Sequence, residues 1–158
     1  MTEPRGSETT RPPTPRDGLL GTWILVAMEA RRASGDLFHP WGTDVRGRLT
    51  YDGSGGAALQ IAKGSREPFT SDDLESGTPE EIRRAWNGYH AWFGRFSLSA
   101  DGQTVTHHIE GSLFPNWASV EQTRLVTLTE GELVLRSTPL PYGGELVEFQ
   151  TRWARFRG

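Results

Sequence analysis

The 158 residues predict an all-β domain: eight antiparallel strands closed into a barrel, with one helix between the third and fourth strands. Three observations carry that prediction. Apolar and polar residues alternate with period two through eight segments, 19 glycines and 10 prolines punctuate the chain, and Asp-Gly or Glu-Gly pairs stand at three of the junctions. Closure follows because eight antiparallel strands with open edges would offer unpaired backbone groups to other chains, and a barrel has no edges. The interior of an eight-stranded barrel is just wide enough to be filled with side chains or to hold one small ligand.

Residues 1–18, rich in Pro, Thr, Arg and Glu, bury nothing and are expected to form a disordered tail, leaving 19–158 as the barrel domain. They contain no apolar core of a secretion leader, and no run elsewhere reaches the length of a membrane span, so a cytoplasmic protein is expected. The strands in order are TWILVAMEA from Thr22, RGRLTYD from Arg46, GAALQIAK from Gly56, GRFSLSA from Gly94, TVTHHIEGSL from Thr104, EQTRLVTL from Glu121, ELVLRST from Glu132 and LVEFQTRWARF from Leu146. Between the third and fourth, TPEEIRRAWNGYHAW reads as a helix. Thr78 is its N-cap, Pro79 its first residue and Glu81 the reciprocal partner of the cap, while Ile82, Ala85, Trp86 and Tyr89 share one face.

Composition narrows the chemistry. A net charge of -3 leaves no positive excess to hold a polyanion, so nucleic acid is not an expected partner. With no cysteine there is no disulfide, thiolate nucleophile or Cys-ligated metal. The only histidines, His39, His90, His107 and His108, lack ligand spacing on one face, so no metal is expected. The chain also has no Gly-x-Ser-x-Gly elbow, and Asp52-Gly-Ser-Gly-Gly is a hairpin tip with no following helix to cradle a phosphate. No cofactor is expected.

The histidine doublet invites a functional reading, but adjacent strand residues point to opposite faces. A two-residue loop at Asp101-Gly102 sets Phe96 opposite His107, Leu98 opposite Val105 and Arg95 opposite His108. His107 thus shares an apolar face with Val105, Ile109, Phe96 and Leu98, whereas His108 and Glu110 face solvent. An unbulged strand is assumed as far as Gly111. A loop at Glu130-Gly131 likewise pairs Leu128 with Leu133, Val126 with Leu135 and Arg124 with Ser137, which puts Arg124 on the inner face beside Gln122.

His107 and Arg124 are therefore the candidate catalytic pair. Two readings stay open for each. Arg124 anchors an anionic ligand group, or it snorkels to water at the barrel mouth; His107 shuttles a proton, or it is a core histidine satisfied by a carbonyl or a tyrosine. Gln122 and Ser137 are placed to accept from Arg124 or to bridge it to a ligand, and are candidate ligand-binding residues. Tyr51, Phe96 and Phe149 face inward and, with Tyr89 on the helix, are the candidate walls of a ligand site; each also reads as ordinary core. Leu113-Phe-Pro-Asn-Trp117 reads as an apolar lid, and the polar stretch 64–77 as the segment freest to move.

Gly21-Thr22-Trp23 opens the first strand as Gly-x-Trp opens lipocalins. Together with PWG (Pro40 to Gly42), RGRLTYDG (Arg46 to Gly53), TPEE (Thr78 to Glu81), GYHAWFG (Gly88 to Gly94) and VTHHIEGSLFPNW (Val105 to Trp117), it makes the chain from Leu19 to Phe156 resemble the small lipocalin-like domain family of bacteria and fungi. The resemblance implies a calycin-type barrel with a helical lid or plug, and a closed base around Trp23, with Trp153 beside it. It implies no single activity. The helix precedes the later strands, unlike that of secreted lipocalins, so secreted-carrier functions are not carried over. The first expected function is binding of a compact hydrophobic or polyketide-like small molecule. Because enzymes on such barrels include cyclases and isomerases of natural-product pathways, the second is a cofactor-free isomerase or cyclase working in the lumen; the third is a stable domain with a filled interior that acts through its surface.

Overall fold

The computed structural model describes residues 12–158. Eight strands form the barrel: β1 (Gly21–Arg32), β3 (Val45–Tyr51), β4 (Gly56–Lys63), β5 (Tyr89–Leu98), β6 (Thr104–Ser112), β7 (Glu121–Leu128), β8 (Glu132–Ser137) and β10 (Glu145–Arg155). Each pairs antiparallel with the next, and β1 pairs with β10 from Trp23↔Arg155 to Arg32↔Val147, which closes the sheet. Two short strands that the alternation did not reveal, β2 (Leu37–Phe38) and β9 (Leu140–Tyr142), extend the sheet beside β1 and β10. No helix among the described residues is long and apolar enough to cross a membrane.

Connections alternate between two ends. The tight turns at 52–55, 99–103 and 129–131 gather at the base, and the long connections, including the helix α2 (Pro79–Asn87), gather at the mouth. The registers expected from the Asp-Gly and Glu-Gly turns are the observed ones, with Phe96↔His107, Leu98↔Val105, Leu128↔Leu133 and Arg124↔Ser137. A bulge falls just before Gly111: Phe93 pairs with Gly111 and Gly94 with Ile109, so Glu110 is left over. Gly94 is what permits it, since a Cβ there would stand 2.1 Å from the His108 carbonyl oxygen.

The base is sealed by side chains from the Pro15–Leu19 segment and from the first, second, seventh and last barrel strands. Leu19, Trp23, Leu49, Leu133 and Trp153 are fully buried there, and Trp23 Nε1 donates to the Leu19 carbonyl at 2.9 Å. Arg155 lies 4.2 Å over the Trp23 ring, donates to the carbonyls of Leu20 at 2.9 Å and Glu130 at 3.1 Å, and reaches the Gly18 carbonyl.

The expected tail differs at its inner end. Pro15–Leu19 form a short helix, α1, capped by Thr14 and Asp17, and Arg16 stands 4.8 Å beneath the Phe96 ring. Burial of Leu19 holds this turn against the base. The part of the expected tail in residues 1–11 lies outside the described residues.

The helix is shorter than its apolar spacing implies. α2 stops at Asn87 with Gly88 as its cap, and Tyr89 already belongs to β5. Its apolar stripe is not core: Ile82 is 54 % and Trp86 45 % exposed. The anchor is its N-terminus instead. Glu81 Oε2 accepts from the Thr78 amide at 2.9 Å, and Oε1 accepts from the Thr70 amide and hydroxyl at 2.9 and 2.7 Å. These bonds, the Thr78 amide foremost, hold the Glu81 carboxyl down to about 2 and tie the 64–77 stretch to the helix.

Candidate functional site

The histidine doublet is divided as the register requires. His108 faces outward, its Nδ1 2.9 Å from Glu121 Oε1 across the β6–β7 pair and its Nε2 2.9 Å from Ser97 Oγ. His107 points into the barrel and is 3 % exposed. Its Nε2 stands 2.7 Å from Tyr51 Oη, and its ring packs against Trp92 with centroids 4.6 Å apart. Glu110 is exposed, as its outward position and the bulge dictate.

Tyr51 and Phe96, expected as ligand walls, form a packed floor instead. Tyr51 has 0 % exposure, and its ring meets Phe96 edge-on at 4.8 Å. A side chain with no accessible surface touches no ligand without repacking; the Tyr51 hydroxyl is occupied by the bond to His107. Tyr89, expected on the helix's apolar face, is not on the helix. Because the helix ends at Gly88, Tyr89 pairs with Ala62 in the sheet and lies on the outer face, where its hydroxyl bonds Gln60 and Arg66 covers its ring. Phe149 does face inward, against the core and edge-on to Tyr142.

Arg124 lies half-buried on the inner face of β7. Its Nη2 donates to Gln122 Oε1 at 2.6 Å and its Nη1 to the Thr123 carbonyl at 3.1 Å. Gln122, opposite His107 in the register, thus holds one end of the guanidinium on the side of β7 nearer His107. Ser137 pairs with Arg124 in register, but its Oγ is taken by the Phe149 amide at 2.8 Å. Among the described residues no carboxylate forms an ion pair with Arg124. Burial lowers its pKa, opposed by Tyr51.

His90 joins this group, although its sequence neighbourhood gave it no site role. It pairs with Ile61, a core residue, so it points inward near the mouth, and its ring stands edge-on to Trp117 at 4.9 Å. The signal was present: alternation runs back through Tyr-His-Ala-Trp once the helix is stopped at Gly88. Burial, then the charge of Arg124, lowers His90 to about 4 and His107 to about 3. Burial raises Tyr51 well above the ordinary phenol range, with Arg124 opposing. At neutral pH the interior therefore holds two neutral imidazoles, a neutral phenol and one cation.

A row of aromatic rings stands at the mouth above these groups. Trp117, in the 3-10 turn Pro115–Trp117, meets Phe114 at 5.8 Å, and Phe114 meets Trp86 of α2 at 6.4 Å. The apolar 113–117 stretch thus lies at the mouth, as a lid would. A separate open recess of about 470 Å³ lies outside the base, lined by Asp17, Leu128, Glu130, Arg155 and Arg157 among others. The buried Leu19, Trp23, Leu133 and Trp153 stand between it and the interior cluster.

Several known proteins are similar to this chain. A 4'-hydroxy-3'-methoxypropiophenone carrier protein of Aspergillus oryzae is 32% identical over 90 residues, 53% of this chain and 80% of that one. Among solved structures, bovine odorant binding protein, in complex with a selenium-containing odorant, matches all of this chain and 79% of its own, at 12% identity and a TM-score of 0.45. The model of the lipocalin-like domain matches residues 20–156. The chain, from the first barrel strand to the last, belongs to the lipocalin-like domain family.

Proposed function

We propose that the protein binds a compact aromatic or polyketide-like molecule in the mouth half of the barrel, with Arg124 holding an electron-rich oxygen of the ligand. The observation that carries this reading is Arg124 itself: a guanidinium on the inner face whose described partners are all neutral oxygens. A cation partly withdrawn from water and left without an acid bears a share of the desolvation cost of a buried charge, and a ligand acceptor offsets it. A ligand carbonyl, enolate or carboxylate is such an acceptor. The aromatic lining supplies the apolar contact that a ring-bearing ligand needs. The related fungal protein, named for carrying an aryl ketone, supports the same class of ligand.

The alternative, a cofactor-free isomerase or cyclase, is less well served by these groups. A general acid or base works best with a pKa near the working pH. His107, at about 3, is a weak base, and Tyr51 is a reluctant acid. Both serve as fixed hydrogen-bonding groups.

Titration of propiophenone into the protein, followed by tryptophan fluorescence, tests the reading. Saturable binding that weakens about tenfold or more in Arg124→Ala is expected, in line with loss of a charge-assisted hydrogen bond. Unchanged affinity in that variant contradicts the anchor role. Recovery of candidate ketones and polyketides chemically unchanged after incubation separates carrier from enzyme; conversion that His107→Phe abolishes would identify an enzyme instead.

A further inference from the structure

We propose that His90 is a second recognition point of the same site, exchanging a hydrogen bond through Nε2 with a hydroxyl group of the ligand. The inference rests on the reading of the lumen as a binding site and adds the ligand's second polar group.

Position and environment set it up. His90 projects inward from β5 opposite Ile61, with Trp117 edge-on to its ring, at the mouth end of the interior. Its Nε2 has no accessible surface in this closed form and meets no hydrogen-bond partner among the described residues, so a ligand reaches it by displacing the Trp117 ring that stands against it. Such an orphan is rare in a folded protein. An apolar side chain would fill the space beside Ile61 and Trp117 with no unmet bond, so the imidazole is the odd choice for packing alone.

Charge then selects the partner. Burial and Arg124 keep His90 neutral, at about 4, so it offers one N–H and one lone pair rather than a second cation. Arg124 offers only donors. A ligand that satisfies both brings an acceptor oxygen for the guanidinium and, for His90, a group that serves whichever ring tautomer is present. A hydroxyl does this, because it donates and accepts; a second carbonyl serves only the N–H form. The ligand class that results is an aromatic ketone or related carbonyl compound carrying a phenolic or enolic hydroxyl on the side of its frame away from the Arg124-bound oxygen.

The test compares 4'-hydroxypropiophenone with propiophenone in wild type, His90→Phe and His90→Gln, by calorimetric titration. Wild type is expected to prefer the hydroxylated ketone about tenfold, roughly the worth of one buried hydrogen bond. His90→Phe is expected to lose the preference while still binding propiophenone, and His90→Gln to regain part of it. An undiminished preference in His90→Phe, or equal loss of both ketones in a variant whose circular dichroism matches wild type, overturns the proposal. Wild-type binding of both ketones with equal affinity sinks the His90 role alone. Failure of wild type to bind either one sinks the Arg124 reading as well.

Discussion

Tyr51 and His107, from strands on different sides of the interior and 56 residues apart in the chain, meet at 2.7 Å between Oη and Nε2. The pair caps the packed lower half of the barrel. Tyr51 packs edge-on against Phe96, while the His107 ring packs against Trp92. One hydrogen bond thus satisfies two buried polar groups.

Removing one partner leaves the other stranded. Tyr51→Phe and His107→Phe are each expected to lower unfolding free energy in urea by about 1–3 kcal/mol, while Tyr51→Phe/His107→Phe loses much less than the sum. Additive losses across the cycle count against the pair as a coupled unit.

Arg124 is expected to show the opposite balance. Arg124→Met exchanges a half-buried cation lacking an acid partner for an apolar chain of similar length, so thermal stability is expected to hold or rise by a degree or more, roughly, while aryl ketone binding falls. A substantial drop in Tm together with unchanged binding would mark Arg124 as scaffold. Measuring both quantities on the same sample makes the contrast direct.

Both inner histidines link stability to pH. Their folded pKa values, about 4 for His90 and about 3 for His107, lie below the ordinary imidazole value near 6.5. Between pH 6.5 and about 4 the unfolded chain binds protons at these sites and the folded chain does not, so stability is full above pH 6.5 and falls on acidification. The expected slope is about 1.4 kcal/mol per pH unit for each histidine. Glu81, held low by its bonds at the helix start, adds in the same direction below its ordinary carboxylate range. Urea midpoints at pH 7.5, 6 and 5 test this, and the Tyr51→Phe/His107→Phe protein is expected to show about half the slope. A flat profile over that range contradicts the neutral-histidine interior.

Much of this was legible in the sequence because hairpin register is a local property. Asp101-Gly102 and Glu130-Gly131 fix their strands, and period two then assigns His107 inward, His108 outward and Arg124 beside Gln122. What local pattern missed was decided by termination and by long-range packing. A single glycine, Gly88, turns the helix into strand, which sends Tyr89 outside and brings His90 in. The Tyr51–His107 contact crosses the barrel between strands that are not neighbours, and no local spacing encodes it. The order of Pro15–Leu19 depends on a base that draws on both ends of the chain. The short strands β2 and β9 are too brief to show a period.

The central claim is that the mouth half of the barrel, with Arg124 as its anchor, is where the ligand sits. A crystal structure of the protein soaked with 4'-hydroxypropiophenone tests it most directly. The predicted result is the ketone oxygen within about 3 Å of the Arg124 guanidinium, with the ring near Trp92 and Trp117 and the hydroxyl toward His90. A ketone bound instead in the outer recess by Asp17, Arg155 and Arg157, with the interior closed and unchanged, would contradict it.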